Sequence, residues 1–266
     1  MLVLPNAWDV MSALVIANEG AAAIATTSGG VSWAHGHPDG QHLDHRQAVQ
    51  AVAAIARAVD LPVSADIEGG YGRAPDEVAG VVARIVSVGA CGINLEDSPG
   101  DGAPLLEPRA QARRIAAARA AARERGVELV INARTDVLLV EGSSATLNEA
   151  LTRGELYAEA GADCLFVPGL TDLGTIGKLV ARSPLPVNTM AGPGTPSVAQ
   201  LAEVGVRRIS VGTAIAQAAF SIAARTAREL LTHGTYASLD AELSYAALNA
   251  LAAARNHNLP AKGEYR

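Results

Sequence analysis

The sequence predicts a (β/α)8 barrel, an α/β fold in which eight parallel strands alternate with eight helices. A short apolar run, a few loop residues and an Ala-rich amphipathic stretch follow one another eight times along the 266 residues. Apolar residues recur within each stretch at helical spacing. The alternative, a doubly wound open sheet, usually has fewer strands, and its nucleotide-binding forms carry a glycine fingerprint that "LPNAWD" lacks. No linker interrupts the repeat, which indicates one domain over 1–266.

The predicted elements follow this repeat in order. The apolar runs that predict strands are 2–4, 22–26, 62–67, 91–95, 129–133, 164–167, 186–188 and 208–211. The stretches that predict helices are 10–19, 44–59, 76–88, 108–125, 146–160, 172–181, 197–203 and 213–231. Asp44, Asp76 and Ser197 stand at helix starts as predicted caps, and glycines mark several helix exits. The eighth helix is expected to close the ring.

The composition limits the classes of function. A hydrophobic content of 49% indicates a sizeable core, whereas the net charge of −6 and the aromatic content of 3% argue against a nucleic-acid partner. No apolar run reaches membrane-spanning length, and the N-terminal residues do not resemble a signal peptide. Cys91 and Cys164 lie in apolar segments, as reduced, buried thiols would. We therefore expect a cytoplasmic protein.

The stretch "SADIEGGYG", 64–72, ends an apolar run with two carboxylates and three glycines. Asp66 and Glu68 are two positions apart, which in an extended chain places both side chains on one face. Two adjacent like charges are costly unless a cation neutralises them. The simpler interpretation is a strand end with two solvated acids.

Polar residues stand at the ends of six of the eight predicted strands, and a barrel brings these ends to one mouth. Asp66, Glu68 and Glu96 come from adjacent predicted strands and could share one cation. Oxygen ligands without His or Cys favour Mg²⁺ or Mn²⁺ over zinc. The other strand-end residues are Asn6, Thr27, Ser28, Gly29, Gly30, Asp97, Asn132, Arg134, Thr135, Asp136 and Asn188.

Two of these strand-end groups could bind an anion. Arg134 follows a strand expected to be buried, where arginine usually forks onto a carboxylate or phosphate. A structural salt bridge to Glu96 or Asp136 is the alternative. Ser28, Gly29 and Gly30 could offer a hydroxyl and bare amides, or form a plain tight turn. Together with the cation, these groups suit a small 2-oxo acid that chelates the metal.

The chain resembles the isocitrate lyase/phosphoenolpyruvate mutase superfamily over nearly its whole length. The segments that carry the resemblance are "LPNAWD", "TTSGGVSWAHGHPDG", "ADIEGGYG", "GINLEDS", "INARTD" and "PVNTMAGPGTPSVAQLAEVGVRRISVG". The six segments together are specific for the superfamily, although each segment alone is a weak signal. The resemblance implies a (β/α)8 barrel, Mg²⁺ and an oxyanion or enolate intermediate of a 2-oxo acid.

The resemblance also implies roles for individual residues. Asp66 matches the direct metal ligand, Glu68 and Glu96 match ligands that act mostly through water, and Asp39 belongs to the same acidic cluster. The substrate-binding residues it implies are Ser28, Gly29, Gly30, Arg134 and Asn188. Asp39 and Arg134 are the candidate catalytic residues.

The departures from the family pattern concern the acid–base half of the site. The lyases carry a Lys-Lys/Arg-Cys-Gly-His motif after the fourth strand, where this chain reads "EDSPGDGAPLLEP". Pro168 stands near the place of a glutamate, Glu68 replaces the more usual aspartate, and Thr26 replaces a common aromatic residue. These departures argue against cleavage of isocitrate or methylisocitrate, and the phosphonate mutase loop is not evident either.

Three functions fit these observations. The first is a Mg²⁺-dependent enzyme that cleaves a carbon–carbon bond beside the keto group of a small 2-oxo or 2-hydroxy acid. The second is P–C mutation or hydrolysis of a phosphonopyruvate-type substrate, and the third is a 2-oxo acid binding protein without catalysis.

An extra helix is predicted over 238–254, and its apolar residues form a stripe along one face. Either this stripe packs on a surface beyond its own barrel, or the helix folds back over that barrel. We expect a homodimer or homotetramer with this helix between subunits, as members of the superfamily commonly form.

Overall fold

The structure is a computed structural model that describes residues 1–100, 103–140, 146–239 and 241–254. Its nine strands form one parallel sheet in the order β1-β9-β8-β7-β6-β5-β4-β3-β2. They are β1 (Leu2–Leu4), β2 (Asn6–Ala7), β3 (Ile24–Thr26), β4 (Val63–Asp66), β5 (Gly92–Glu96), β6 (Val130–Arg134), β7 (Cys164–Phe166), β8 (Val187–Met190) and β9 (Arg208–Ser210).

The sheet curves into a nearly closed barrel because its two edges lie in the same stretch of chain. The first predicted strand, 2–4, is β1 and pairs with β9, and an additional short strand after Pro5, β2, pairs with β3. The Asn6 amide donates to the Thr26 carbonyl at 2.9 Å, and its oxygen accepts the Val211 amide at 2.9 Å. This side chain therefore joins the two edges, and the predicted barrel is confirmed.

Helices alternate with the strands as predicted, apart from two additional short ones, α2 and α6. The described helices are α1 (Val10–Asn18), α2 (Ser28–Ala34), α3 (His45–Ala56), α4 (Pro75–Ser87), α5 (Pro108–Glu124), α6 (Val137–Val140), α7 (Thr146–Glu159), α8 (Leu173–Arg182), α9 (Val198–Glu203), α10 (Ala214–His233) and α11 (Tyr245–Ala254). None of the helices in the described part of the chain is long and apolar enough to cross a bilayer.

Asp44 and Ser197 cap their helices as predicted, by accepting the amides of Arg46 and Gln200. The prediction for Asp76 was wrong, because Pro75 already begins α4. There the Glu77 carboxylate accepts the two amides before the helix, at 2.8 and 2.9 Å. A proline suits the first helical position because its missing N–H has no intrahelical partner to lose.

The C-terminal part of the chain differs from the sequence prediction in two ways. The predicted single helix over 238–254 is wrong: a 3₁₀ turn (Ala237–Leu239) is followed by α11, which begins only at Tyr245. The eighth barrel helix, α10, is also largely exposed, and Ala216 is its only buried residue. The Phe220 ring lies near Trp8 and Trp33, whereas most residues of the helix after Phe220 are exposed.

The main core lies between the sheet and the helices on one side of the barrel, where α4 and α5 pack against β4, β5 and β6. Apolar side chains such as Ile93, Leu95 and Ile131 are fully buried there. Each contributes about 1.5–3 kcal/mol relative to its exposed state. Cys164 is buried, Cys91 is half-buried, and both are free thiols. The strands that pack in this core end at the site residues described next.

Candidate active site

The carboxyl ends of neighbouring strands bring the predicted acidic and basic residues to one mouth of the barrel. Asp66 ends β4, Glu96 ends β5 and Arg134 ends β6. In the sheet register, Asp66 pairs with Asn94, and Glu96 pairs directly with Arg134. The side chains of Glu96 and Arg134 meet, with Nη1 and Oε2 2.8 Å apart.

Ser28 holds the carboxylate of Asp66. Both its amide and its hydroxyl donate to Asp66 Oδ2, at 3.3 and 3.1 Å. On the other side, the Thr26 hydroxyl accepts the Asp66 amide at 2.8 Å. Asp66 is therefore fixed by the chain on the neighbouring strand and the helix that follows it.

The Ser28-Gly29-Gly30 segment is neither a loop nor a plain tight turn, but the first turn of α2. Two successive glycines disfavour helix, so the sequence did not predict one. A methyl group on Gly29 would lie 2.8 Å from Thr213 Cγ2 and 3.1 Å from Asp39 Oδ2. The backbone thus approaches Asp39 as closely as glycine permits. First-turn amides lack intrahelical acceptors, and anion binding here stays a prediction.

Glu68 reaches the site by a turn and not by strand alternation. The strand ends at Asp66, and Glu68 has a φ of 51°, so the expectation that an extended chain presents both carboxylates on one face was wrong. The turn lets the Glu68 amide donate to Asp66 Oδ1 at 3.3 Å. Glu68 Oε1 accepts the Tyr71 hydroxyl at 3.0 Å, and Oε2 accepts the amides of Gly40, at 3.0 Å, and Gln41.

Burial, followed by repulsion between neighbouring carboxylates, raises the pKa values of three of these acids. Burial, together with the Asp39 and Asp66 carboxylates, raises the pKa of Glu68 to about 7. Burial and the Asp66 carboxylate also raise the pKa of Asp39. Burial holds the pKa of Glu96 well above its usual value, although the Arg134 guanidinium acts against it. Ionisation of these acids is therefore disfavoured unless a positive charge lies beside them.

Arg134 forms two ion pairs at once, so the structural salt-bridge alternative describes its contacts. Nε and Nη2 bind the two Asp136 oxygens, at 2.5 and 3.0 Å, while Nη1 binds Glu96. The guanidinium also lies over the Phe166 ring, with Cζ 5.8 Å from the ring centre. Three of its five N–H donors are engaged, which leaves two for another oxygen ligand. Substrate binding by Arg134 stays a prediction.

The fully buried carboxylate of Asp97 holds Asp136, the ion-pair partner of Arg134, in place. It accepts the Asp136 amide at 3.0 Å, the Tyr157 hydroxyl at 2.8 Å and Arg153 Nη1 at 3.0 Å. Arg153 also donates to the Leu106 carbonyl at 2.8 Å. Since all its partners belong to the protein, Asp97 is a structural acid that positions Asp136.

Asn188 lies in β8 and is completely buried. Its amide nitrogen donates to Ser210 Oγ at 3.4 Å, whereas its side-chain oxygen has no partner among the described residues. An unpaired buried oxygen is costly, and a ligand or water would remove that cost. The predicted substrate-binding role of Asn188 is not tested by these contacts.

The donor set suits a hard divalent cation in chemistry and charge. Asp39, Asp66, Glu68 and Glu96 offer only oxygen atoms, and their mutual repulsion would be relieved by a positive ion. Within the described ranges, however, no group of three His, Cys, Asp or Glu side chains has the geometry to hold a metal directly. Mg²⁺ retains several waters, so a site with few direct protein ligands fits it.

Sequence reasoning missed the residues that orient these acids. Gln41 and Tyr71 bind Glu68 directly, and the buried Arg114 donates to the carbonyls of Gly69 and Gly72. Tyr71 lies within the "GGYG" pattern, which could have marked it. Gln41 and Arg114 have no local signal, because their partners lie 27 to 45 positions away.

The family model for phosphoenolpyruvate phosphomutase matches residues 1–231. An uncharacterized protein of Mycobacterium tuberculosis is 40% identical over 247 residues, which cover 91% of each chain. A 2-methylisocitrate lyase of Aeropyrum pernix is 28% identical over 88% of this chain and 77% of its own. The crystal structure of 2,3-dimethylmalate lyase superposes with a TM-score of 0.83 at 26% identity, covering 97% of this chain and 91% of that one.

The fold and these relatives define a barrel enzyme with an acidic site at the carboxyl ends of its strands. The chain belongs to the isocitrate lyase/phosphoenolpyruvate mutase superfamily, as the sequence resemblance indicated. Its named relatives are lyases, which agrees with the expected type of enzyme.

Proposed function

We propose that this protein is a Mg²⁺-dependent lyase that cleaves a carbon–carbon bond beside the keto or hydroxyl group of a small 2-oxo or 2-hydroxy acid. One observation carries the proposal. Asp39, Asp66, Glu68 and Glu96 lie together at one barrel mouth, where burial and the neighbouring carboxylates raise the pKa values of Asp39, Glu68 and Glu96, and Arg134 pairs with Glu96. Such a cluster is stabilised by a cation, and a cation stabilises the negative charge of an enolate-type intermediate.

In this proposal Asp66, fixed by Ser28, holds the metal directly, and Glu68 and Glu96 hold it mostly through water. Glu68 accepts three protein hydrogen bonds and has about four acceptor positions, so a bridging water is compatible with its contacts. Mg²⁺ would supply a Lewis acid that polarises the substrate oxygen. Mn²⁺ is the expected substitute.

The remaining groups would bind and orient the acid. The two free donors of Arg134 and the first-turn amides at Gly29 and Gly30 could bind the carboxylate of the acid, whereas the unpaired oxygen of Asn188 could accept from a substrate hydroxyl or a water. Asp39, which has no ion pair within the described part of the chain, is the candidate for proton transfer.

A second candidate is cleavage or mutation of a P–C bond in a phosphonopyruvate-type substrate, which the match to the phosphoenolpyruvate phosphomutase model favours. The same acids and arginine would serve it. The third candidate is a 2-oxo acid binding protein without catalysis. The experiment described next distinguishes it from the two candidate enzymes.

The experiment incubates the protein with oxaloacetate, 2-methylisocitrate, 2,3-dimethylmalate or phosphonopyruvate, and follows the products by NMR. We expect Mg²⁺-dependent turnover of one of the carbon acids and its loss in EDTA. Turnover of phosphonopyruvate alone would favour the second candidate. Binding of a 2-oxo acid without turnover would indicate the binding protein, and full turnover in EDTA would contradict the proposed metal.

We also propose that the chain forms a homodimer or homotetramer through its C-terminal helices. Residues of α10 and α11 expose large apolar side chains in the single chain, and α11 has no buried residue. The most exposed include Phe220, Ile222, Leu230, Leu231 and Tyr245. A second subunit would cover such an apolar patch.

A further inference from the structure

Three residues other than glycine have a left-handed backbone in the described part of the chain, and all three contact one another. They are Gln41, with a φ of 66°, Glu68, at 51°, and Tyr71, at 54°. The Gln41 amide and the Tyr71 hydroxyl donate to opposite oxygens of Glu68. The Tyr71 amide donates to the side-chain oxygen of Gln41 at 3.0 Å, which closes a Gln41–Glu68–Tyr71 triangle.

The left-handed conformation is costly for residues with a side chain, and it persists where the surroundings fix it. Glycine would adopt it freely, and glycines do occupy the adjacent positions 40, 69, 70 and 72. Each corner of the triangle nevertheless has a side chain, and each of these side chains makes a hydrogen bond to another corner. The strain thus accompanies a contact that glycine could not make.

The triangle is also tied to the segment that follows Glu96. Gln41 Nε2 donates to the Pro99 carbonyl at 2.8 Å. A methyl group on Gly69 would lie 2.6 Å from the Ser98 carbonyl, so the two backbones are already in close contact. The same side-chain amide therefore bridges the turn that carries Glu68 and the chain that leaves β5.

Arg114 fixes the turn from the barrel wall. It is 2% exposed, and its Nη2 donates to the carbonyls of Gly69 and, at 2.8 Å, Gly72. The turn between Glu68 and Gly72 is thus held by two residues, Arg114 in α5 and Gln41 in the chain before α3. Glu68 has little freedom to move alone.

We infer that Gln41 and Tyr71 are positioning residues of the acidic site, which fix the Glu68 carboxylate for the cation and hold residues 98–100 at the edge of the mouth. This inference rests on the proposed function, because it assumes that Glu68 serves a bound metal. Gln41 binds Glu68 through its backbone amide and fixes that turn through its side chain, which contacts Tyr71 and Pro99, whereas Tyr71 binds Glu68 through its hydroxyl.

The test measures Mn²⁺ affinity by electron paramagnetic resonance in the full chain, with Gln41→Ala, Tyr71→Phe and the double variant. Tyr71→Phe removes one hydrogen bond to the Glu68 carboxylate and is expected to weaken Mn²⁺ binding about tenfold. Gln41→Ala keeps the backbone amide that binds Glu68 but removes the side-chain bonds to Tyr71 and Pro99, so a smaller loss of about threefold is expected. Because both changes loosen the contacts of one carboxylate, the loss in the double variant should be less than the product of the two. Gln50→Ala, on the exposed face of α3, is the matched control and should bind as wild type.

Hydrogen exchange distinguishes the two residues. Gln41→Ala should speed exchange in the peptide that covers 97–100, since it removes the bond to Pro99, whereas Tyr71→Phe should leave that peptide unchanged. Folded variants that bind Mn²⁺ as tightly as wild type would overturn the inference. Absence of Mn²⁺ binding in wild type would instead overturn the proposed function, and the inference with it.

Discussion

Replacing Arg134 by methionine tests the central ion-pair network of the site. The substitution removes the only cation that contacts both Glu96 and Asp136 within the described ranges, and these side chains are 10% and 7% exposed. Removal of one partner from a buried pair costs about 3–5 kcal/mol, so we expect a loss of about 4 kcal/mol in the free energy of unfolding. Arg134→Lys keeps the charge but loses the fork on Asp136, and should cost about 1–2 kcal/mol.

Urea unfolding of the metal-free protein at pH 7.5 measures these losses, with Arg46→Met on the exposed surface of α3 as the control. In the methionine variant the folded-state pKa values of the two carboxyls rise further. The stability deficit should therefore grow as the pH rises and shrink at pH 5.5. A loss below about 1 kcal/mol in Arg134→Met would refute the reasoning, because the arginine would then not stabilise the fold.

Three further predictions concern charge, packing and assembly. The Glu68 pKa rises from 4.5 to about 7 on folding, so the metal-free protein should lose about 3 kcal/mol as the pH rises between these values. Melting curves in EDTA should show this slope, and Glu68→Gln should reduce it by the Glu68 contribution, because Asp39 and Glu96 also have raised pKa values. Gly29→Ala places a methyl group 2.8 Å from Thr213 and should lower stability by about 1–3 kcal/mol and impair turnover, unlike Gly80→Ala, which has open space. A chain ending at Gly234 lacks α11 and should form a smaller or weaker oligomer in light scattering, whereas an unchanged particle mass would contradict a role of α11 in the interface.

The barrel could be predicted because its strands and most helices repeat one pattern of apolar residues. The exceptions are elements without such a pattern. The glycines at 29 and 30 disfavour a helix, so the start of α2 was not predicted. The residues before α11 continue the helical spacing of apolar residues but do not form a helix. In α10, helical periodicity identified the helix but could not show that most of its residues are exposed.

Asp66, Glu68 and Glu96 could be predicted because each stands at the end of an apolar run, whereas Asp39 was indicated only by the resemblance to the superfamily. The orientation of these acids could not be predicted. The sequence left open whether Arg134 binds Glu96, Asp136 or a ligand. The pairing of β5 with β6 places Glu96 beside Arg134, and the chain after β6 brings Asp136 to it; only the folded chain shows these contacts. The contacts of Gln41 join three loops that are distant in sequence, and no spacing in the chain indicates them.

The most direct test of the account is Mn²⁺ binding to wild type, Asp66→Ala and Asp60→Ala, measured by electron paramagnetic resonance. Asp66 is held by Ser28 among the clustered acids, whereas Asp60 is an exposed carboxylate of the same type. The account predicts one Mn²⁺ site in wild type and Asp60→Ala, its loss in Asp66→Ala, and competition by Mg²⁺. Undiminished binding in Asp66→Ala, or no binding in wild type, would contradict the proposed metal site.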